Sequence, residues 1–432
     1  MKTINIFIYI FLLIINIFHS NEKHLVFPFT TSYKNTLPEG KIFQNDLEVK
    51  LGVGTPSQNL GLYLRMQYYT FFVTSSEVQI SYDTFDASKS TSIQYDDKTP
   101  RYNEGQEYRY SLKIYDMVNI QGNEKKNMSL ILATQLLHHE SGALGLKLVD
   151  THEFNDDMSF IYQIKKLLNL DTYAFVLNYT DEQNGELIIG AYPHLYSNLY
   201  HEKDFCFTKA GKINNIIDWV LDFDLIRYDN VSIQNIVTKS LIQIEFKYIR
   251  APLRLKQYFN DKFFHDKCEE KNYYIRNVTV LYCNKNKVDI TQFKKLSFIL
   301  KDIEQEFVLT YKELFIDNGD QYMFGIAFDR DTRRKDPTWI LGKIFMKKFN
   351  LVYDLDKKII GLYRKVGIYN EKIEEEEKSS GYKVYVIFIV ILVVVVLGLM
   401  GFIIYFFKHK KNRKAIELDD DENNSFVYPT KE

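Results

Sequence analysis

The chain is poor in several residue types: three cysteines, two tryptophans, eight prolines and 19 glycines among 432 residues. The shortage of glycine and proline sits beside 32 tyrosines, 32 phenylalanines and abundant lysine, asparagine and isoleucine. That skew follows an AT-rich coding bias, so the aromatic content is not evidence of a ligand-binding surface. Excess charge of either sign is also missing. A formal net charge of −1 gives no electrostatic case for nucleic acid or an acidic substrate. Nor do several familiar catalytic patterns occur. Gly52-Val53-Gly54 lacks the third glycine of a dinucleotide loop. His138-His139 and the scattered histidines lack metal-ligand spacing, and no Gly-x-Ser-x-Gly elbow appears. No cofactor or metal is expected.

What remains is a globular composition, 46% hydrophobic and 26% charged, in a chain long enough for two or three domains. Its ends read as targeting segments. Lys2 precedes an apolar run from Ile6 to Ile15, too short to span a bilayer and placed where a secretory signal sits, with residues 1–20 as the signal peptide. Val384 to Phe407 runs without a charge and as a helix would be roughly 36 Å long, enough to cross a bilayer. Lys408, Lys410, Lys411, Arg413 and Lys414 follow at once, which places residues 408–432 in the cytoplasm. Glu371 to Lys378 is a charge run within a solvated stalk over 367–383. The expectation is a single-pass type I membrane protein on the secretory route or at the cell surface. Asn127, Asn178, Asn230 and Asn277 head sequons on the lumenal side; Asn423 also fits but lies on the cytoplasmic side.

Leu47 to Ser76 organises the rest. Leu47-Val49-Leu51 alternates as a half-buried strand, Gly52 to Gln58 forms a tight turn, and Leu60-Leu62-Leu64 returns. This hairpin resembles the opening of the mature domain in pepsin-like aspartic proteases: strand, Ile-Gly-Thr-Pro-x-Gln, strand, Asp-Thr-Gly-Ser. Phe85 to Ser92 resembles the family's Phe-Asp-Pro-Ser-x-Ser-Ser-Thr turn. Ser141-Gly142-Ala143-Leu144-Gly145-Leu146 resembles its Asp-Gly-Ile-Leu-Gly-Leu segment, where glycine lets one strand pass close behind another. Trp339-Ile340-Leu341-Gly342 through Leu362 resembles the C-terminal Trp-Ile-Leu-Gly-Asp block, the most specific match. Leu144-Gly145 and Leu341-Gly342 form one pair per lobe, as a duplicated architecture requires.

The resemblance implies a mostly β, bilobal fold plus one C-terminal transmembrane helix, with lobes over 41–200 and 201–366. Asn21 to Gly40 leaves only about twenty residues before the first expected strand, shorter than the family's usual basic prosegment. Helical spacing over Ile161 to Leu168 and a buried strand at Ala174 to Leu177 follow from periodicity. The family's flap tyrosine falls near Glu104, with Tyr102 two places away, and the flap looks altered. Cys268 and Cys283 are close in sequence, and the resemblance implies a bridge in this part of the second lobe. Cys206 is left over, either a buried free thiol or half of an intermolecular bridge.

The family's chemistry needs two carboxylates sharing one proton at the lobe interface. Its first aspartate follows the glutamine by seven residues, and seven after Gln58 is Arg65. In the second lobe, counting back from Pro252 puts Gln243 in the aspartate's place and Glu245 in that of glycine. Asp-Thr at Asp83, Asp150, Asp171 and Asp331 is never followed by glycine. A guanidinium stays protonated and an amide does not titrate, so no catalytic residues are expected, with Glu245 the nearest carboxylate. Arg65 reads as a tolerated, hydrated charge at a wet cleft floor. The sharper reading pairs it with a ligand carboxylate or with Glu245 across the lobes. The sequence therefore points to a silent homologue that binds a peptide or protein in its interlobe cleft. The alternatives are an active endopeptidase with a non-standard site and a structural surface protein.

Overall fold

The computed structural model describes residues 23–32, 45–78, 83–96, 108–120, 124–136, 142–148, 158–234, 237–274, 277–330 and 339–364. The signal segment, the stalk, the 384–407 span, the tail, Glu104, Tyr102 and the His138-His139 pair lie outside them. Among the described residues no helix is long and apolar enough to cross a membrane.

The chain is mostly β, and its strands repeat one motif twice. In the first half the strand Gln58–Arg65 runs parallel to Gly142–Gly145, pairing Leu64 with Leu144 and Arg65 with Gly145. Gly142–Gly145 also pairs antiparallel with Phe71–Thr74, which in turn runs parallel to Glu124–Leu136. In the second half Thr238–Ile242 runs parallel to Trp339–Leu341, pairing Ile242 with Leu341. Trp339–Leu341 pairs antiparallel with Ile249–Pro252, which runs parallel to Ile326–Asp329. The two Leu-Gly segments are thus the central strands of equivalent crossings.

Glycine is required at both crossings because the backbone behind it is too close for a side chain. A Cβ on Gly145 would lie 2.6 Å from the Tyr68 carbonyl oxygen, and one on Gly342 2.5 Å from that of Phe246. The glutamine of the opening hairpin also has a local purpose. Gln58 donates from Nε2 to the Asp86 carbonyl and accepts at Oε1 from the Asp86 amide, both at 2.9 Å. Asp86 then caps the short helix Ala87–Lys89.

The expected helix forms over Phe160–Leu168 and the expected strand over Ala174–Tyr179. The first strand comes earlier than the hairpin, however. Leu25–Ser32 pairs on one side with Asp46–Val53 and on the other with Asn184–Ile189. Phe27 and Phe29 face the core while Pro28 and Thr30 are exposed, an alternation that a strand needs.

The two halves also share a sheet. Val352–Asp354 pairs with Ala174–Tyr179 and with Ile359–Tyr363, and Ile359–Tyr363 with Phe205–Lys209. These join a thirteen-stranded sheet with the first-half strands. The buried Trp219 clasps the same seam. Its Nε1 donates to the Leu146 carbonyl at 2.7 Å, and its ring meets Phe175 and Tyr353 edge-on.

Candidate functional site

Each parallel crossing delivers a short loop to the floor between the halves. The first loop begins at Arg65 and continues through Met66 and Gln67; the second holds Gln243, Ile244 and Glu245. The register makes Arg65 and Gln243 equivalent without reference to any other protein. Arg65 pairs with Gly145 one step past Leu64–Leu144. Gln243, one step past Ile242–Leu341, donates its amide to the Leu341 carbonyl at 3.1 Å.

Arg65 is not a hydrated surface charge. Its side chain is 5% exposed and its Nη2 lies 3.0 Å from Oδ1 of Asp46, itself 4% exposed. The guanidinium also sits 4.9 Å from the Tyr63 ring centre. Burial pushes the Tyr63 hydroxyl well above its ordinary range. The expectation of a wet, exposed arginine is therefore corrected. The strand Asp46–Val53 begins at the floor, and its first residue supplies the counter-charge that makes burial tolerable.

Glu245 does cross the lobes, through the Arg65 charge that acts on its carboxyl and through hydrogen bonds to the first loop. Its Oε1 accepts from the Met66 amide at 2.6 Å and from the Gln67 amide at 3.2 Å. Its Oε2 is buried with no hydrogen-bond partner. Burial raises the Glu245 carboxyl above the usual carboxylate range, while the nearby Arg65 charge and the two amides pull it down. A third residue ties the loops from the first half. Asn45 donates its amide to the Glu245 carbonyl at 2.9 Å and its Nδ2 to the Ile244 carbonyl at 2.8 Å. Asn45 and Asp46 thus secure one loop each. Sequence reasoning missed both, and their only signal was a polar pair opening an apolar strand.

Chemically the floor holds a permanent cation, an amide and two carboxylates: Asp46, already paired with Arg65, and Glu245, whose Oε1 already takes two backbone donors. Neither Arg65 nor Gln243 can accept a proton from water.

The other singled-out residues lie elsewhere. Cys268 and Cys283 face each other on paired strands and form the expected disulfide. Cys206 is a free, half-buried thiol whose acidity burial weakens. Asn127 and Asn230 are exposed, and Asn178 and Asn277 half-buried.

The family model for eukaryotic aspartyl protease matches residues 48–365. No curated protein matches the chain.

Proposed function

Since the chain belongs to the eukaryotic aspartyl protease family across residues 48–365, we propose that it is a pseudoprotease: a peptide- or protein-binding member that performs no hydrolysis. The observation that carries this reading is the Arg65–Asp46 ion pair at the position equivalent to Gln243. In this family two aspartates occupy the two loops and share a proton. One activates water while the other protonates the carbonyl oxygen. Arg65 and Gln243 take those places here, and neither neighbouring loop keeps a threonine or glycine. Met66 and Gln67 instead bond Glu245 across the lobes, and Ile244 bonds Asn45. The second carboxylate of the floor, Asp46, is held by Arg65, a permanent cation, and not by a proton shared with Glu245.

The burial of Arg65 also bears on how a ligand would bind. A side chain 5% exposed and already paired is poorly placed to receive a ligand carboxylate, so ligand contacts fall to other cleft residues. Membrane attachment belongs to the same proposal. The uncharged 384–407 segment followed by a lysine-rich stretch supports a lumenal or extracellular domain on a single-pass anchor.

The test is equilibrium binding of an unstructured protein, such as reduced casein, to the purified full-length chain in detergent, with intact masses recorded afterwards. Saturable binding with unchanged mass is expected. Mass loss that tracks the chain's concentration would favour the endopeptidase reading, and no saturable binding would favour a purely structural role.

A further inference from the structure

A concave pocket of about 630 Å³ lies at the seam between the halves, and neither Arg65, Gln243 nor Glu245 lines it. Five lysines do: Lys247, Lys312, Lys343, Lys347 and Lys348. Only two glutamates, Glu182 and Glu313, oppose them. Glu182 lies in the turn after the strand Ala174–Tyr179, whereas Lys343, Lys347 and Lys348 come from the helix Lys343–Lys348 of the second half.

The lysines fall into two groups. Three are served from within the chain. Lys347 pairs with the Glu182 carboxylate, Lys343 donates to the Glu182 carbonyl, and Lys348 lies 2.7 Å from Glu313. The other two, Lys247 and Lys312, form no salt bridge among the described residues; only the more distant charge of Glu182 acts on Lys247. Lys247 is half-buried with its ammonium 5.5 Å from the Tyr248 ring centre. Burial lowers the proton affinity of both Lys247 and Lys343, a cost that a bound carboxylate would offset.

We propose that this pocket is a docking site for an acidic peptide segment, an extended chain with carboxylates on either side of an apolar residue. Three features select that occupant. The space is several times larger than an inorganic anion needs and is within the range of pockets that enclose an organic ligand. Beside the lysines its lining holds the apolar side chains of Phe315, Ile316 and Ile344 and the Tyr248 ring. The strand Phe315–Asn318 ends the strand order of its sheet, so an extended chain beside it meets main-chain donors and acceptors. Glu182, whose side chain is 74% exposed, already shows how a carboxylate seats between Lys343 and Lys347. The ligand would supply the equivalent for Lys247 and Lys312. This site is separate from the cleft floor, and its failure would leave the reading of Arg65 and Gln243 untouched.

The experiment is fluorescence anisotropy with the full-length chain in a non-ionic detergent. The probe is a fluorescein-labelled peptide of alternating glutamate and phenylalanine. Saturable binding is expected, weakened about tenfold or more by Lys247→Gln with Lys312→Gln, the loss of two partly desolvated ion pairs. Lys312 is exposed, so Lys312→Gln alone reads the charge without touching packing and should weaken binding by a smaller factor. Glu182→Gln frees Lys347 and removes the competing carboxylate beside Lys343, and should tighten it. Equal binding of the glutamine-for-glutamate peptide would overturn the proposal. So would unchanged affinity in a folded double variant, or displacement of the probe by millimolar inorganic phosphate or anionic vesicles.

Discussion

The Met66 amide, in the first-half loop, donates to Glu245 Oε1, in the second-half loop, at 2.6 Å. A side chain of one lobe thus holds the main chain of the other at the point where the two crossings meet. With the Gln67 amide on the same oxygen and Asn45 returning to Ile244 and Glu245, the floor is fastened in both directions.

Glu245→Ala removes the side-chain acceptor of two amides, that of buried Met66 and that of exposed Gln67. We predict a loss of about 1–3 kcal/mol in unfolding free energy by denaturant titration, the penalty for leaving the Met66 amide unsatisfied. Glu245→Gln keeps an oxygen in place and should lose less.

Glu245 also sets a sign for pH. Burial raises its folded-state carboxyl above 4.5, the ordinary value. The folded state therefore holds this proton more tightly than the unfolded one. The contribution is fully present below the unfolded value and is lost as pH rises through the folded one. Wild type should gain stability relative to Glu245→Gln as pH falls from neutral toward 4.5, measured as the difference in Tm between them. A gap that shrinks over that interval would show that Arg65 and the amides outweigh burial.

Arg65→Ala should be among the most damaging single changes at the floor. It leaves Asp46, 4% exposed, as a buried charge without its guanidinium, a loss of about 3–5 kcal/mol. Replacing both, Arg65→Met with Asp46→Leu, should recover much of that loss, because an apolar pair of similar volume needs no desolvation. Differential scanning calorimetry of the single and double variants distinguishes the pair from either residue alone.

Gly145→Ala and Gly342→Ala should each cost about 1–3 kcal/mol or more, since the new methyl group meets main chain that cannot rotate away. The two effects should be similar if the crossings are equivalent, and chemical denaturation of each variant measures this.

Much of the frame was legible because it depends on local pattern or on close backbone approach. The Leu-Gly pairs are read from sequence because only glycine fits where one strand passes behind another. Gln58 fixes the count to Arg65 because its amide must reach Asp86. The strand Leu25–Ser32 escaped notice because its exposed positions hold a proline and a threonine, Pro28 and Thr30, so the alternation of Phe27 and Phe29 is brief. The environment of Arg65 was illegible for another reason. Its partner Asp46 sits on the preceding strand, and pairing across a hairpin depends on register, which sequence fixes only through the turn. Glu245 was recognised as the nearest carboxylate, but its two amide donors come from the other half of the chain. Such long-range contacts leave no periodic trace.

The central claim is that this floor cannot relay a proton to a scissile amide. Its most direct test is cleavage of an unstructured protein by the purified full-length chain, from acid to neutral pH, with and without pepstatin, beside Glu245→Gln. The prediction is no cleavage above a chain-free blank at any pH, for either protein. Pepstatin-sensitive cleavage by wild type that disappears in Glu245→Gln would contradict it and make Glu245 a working acid.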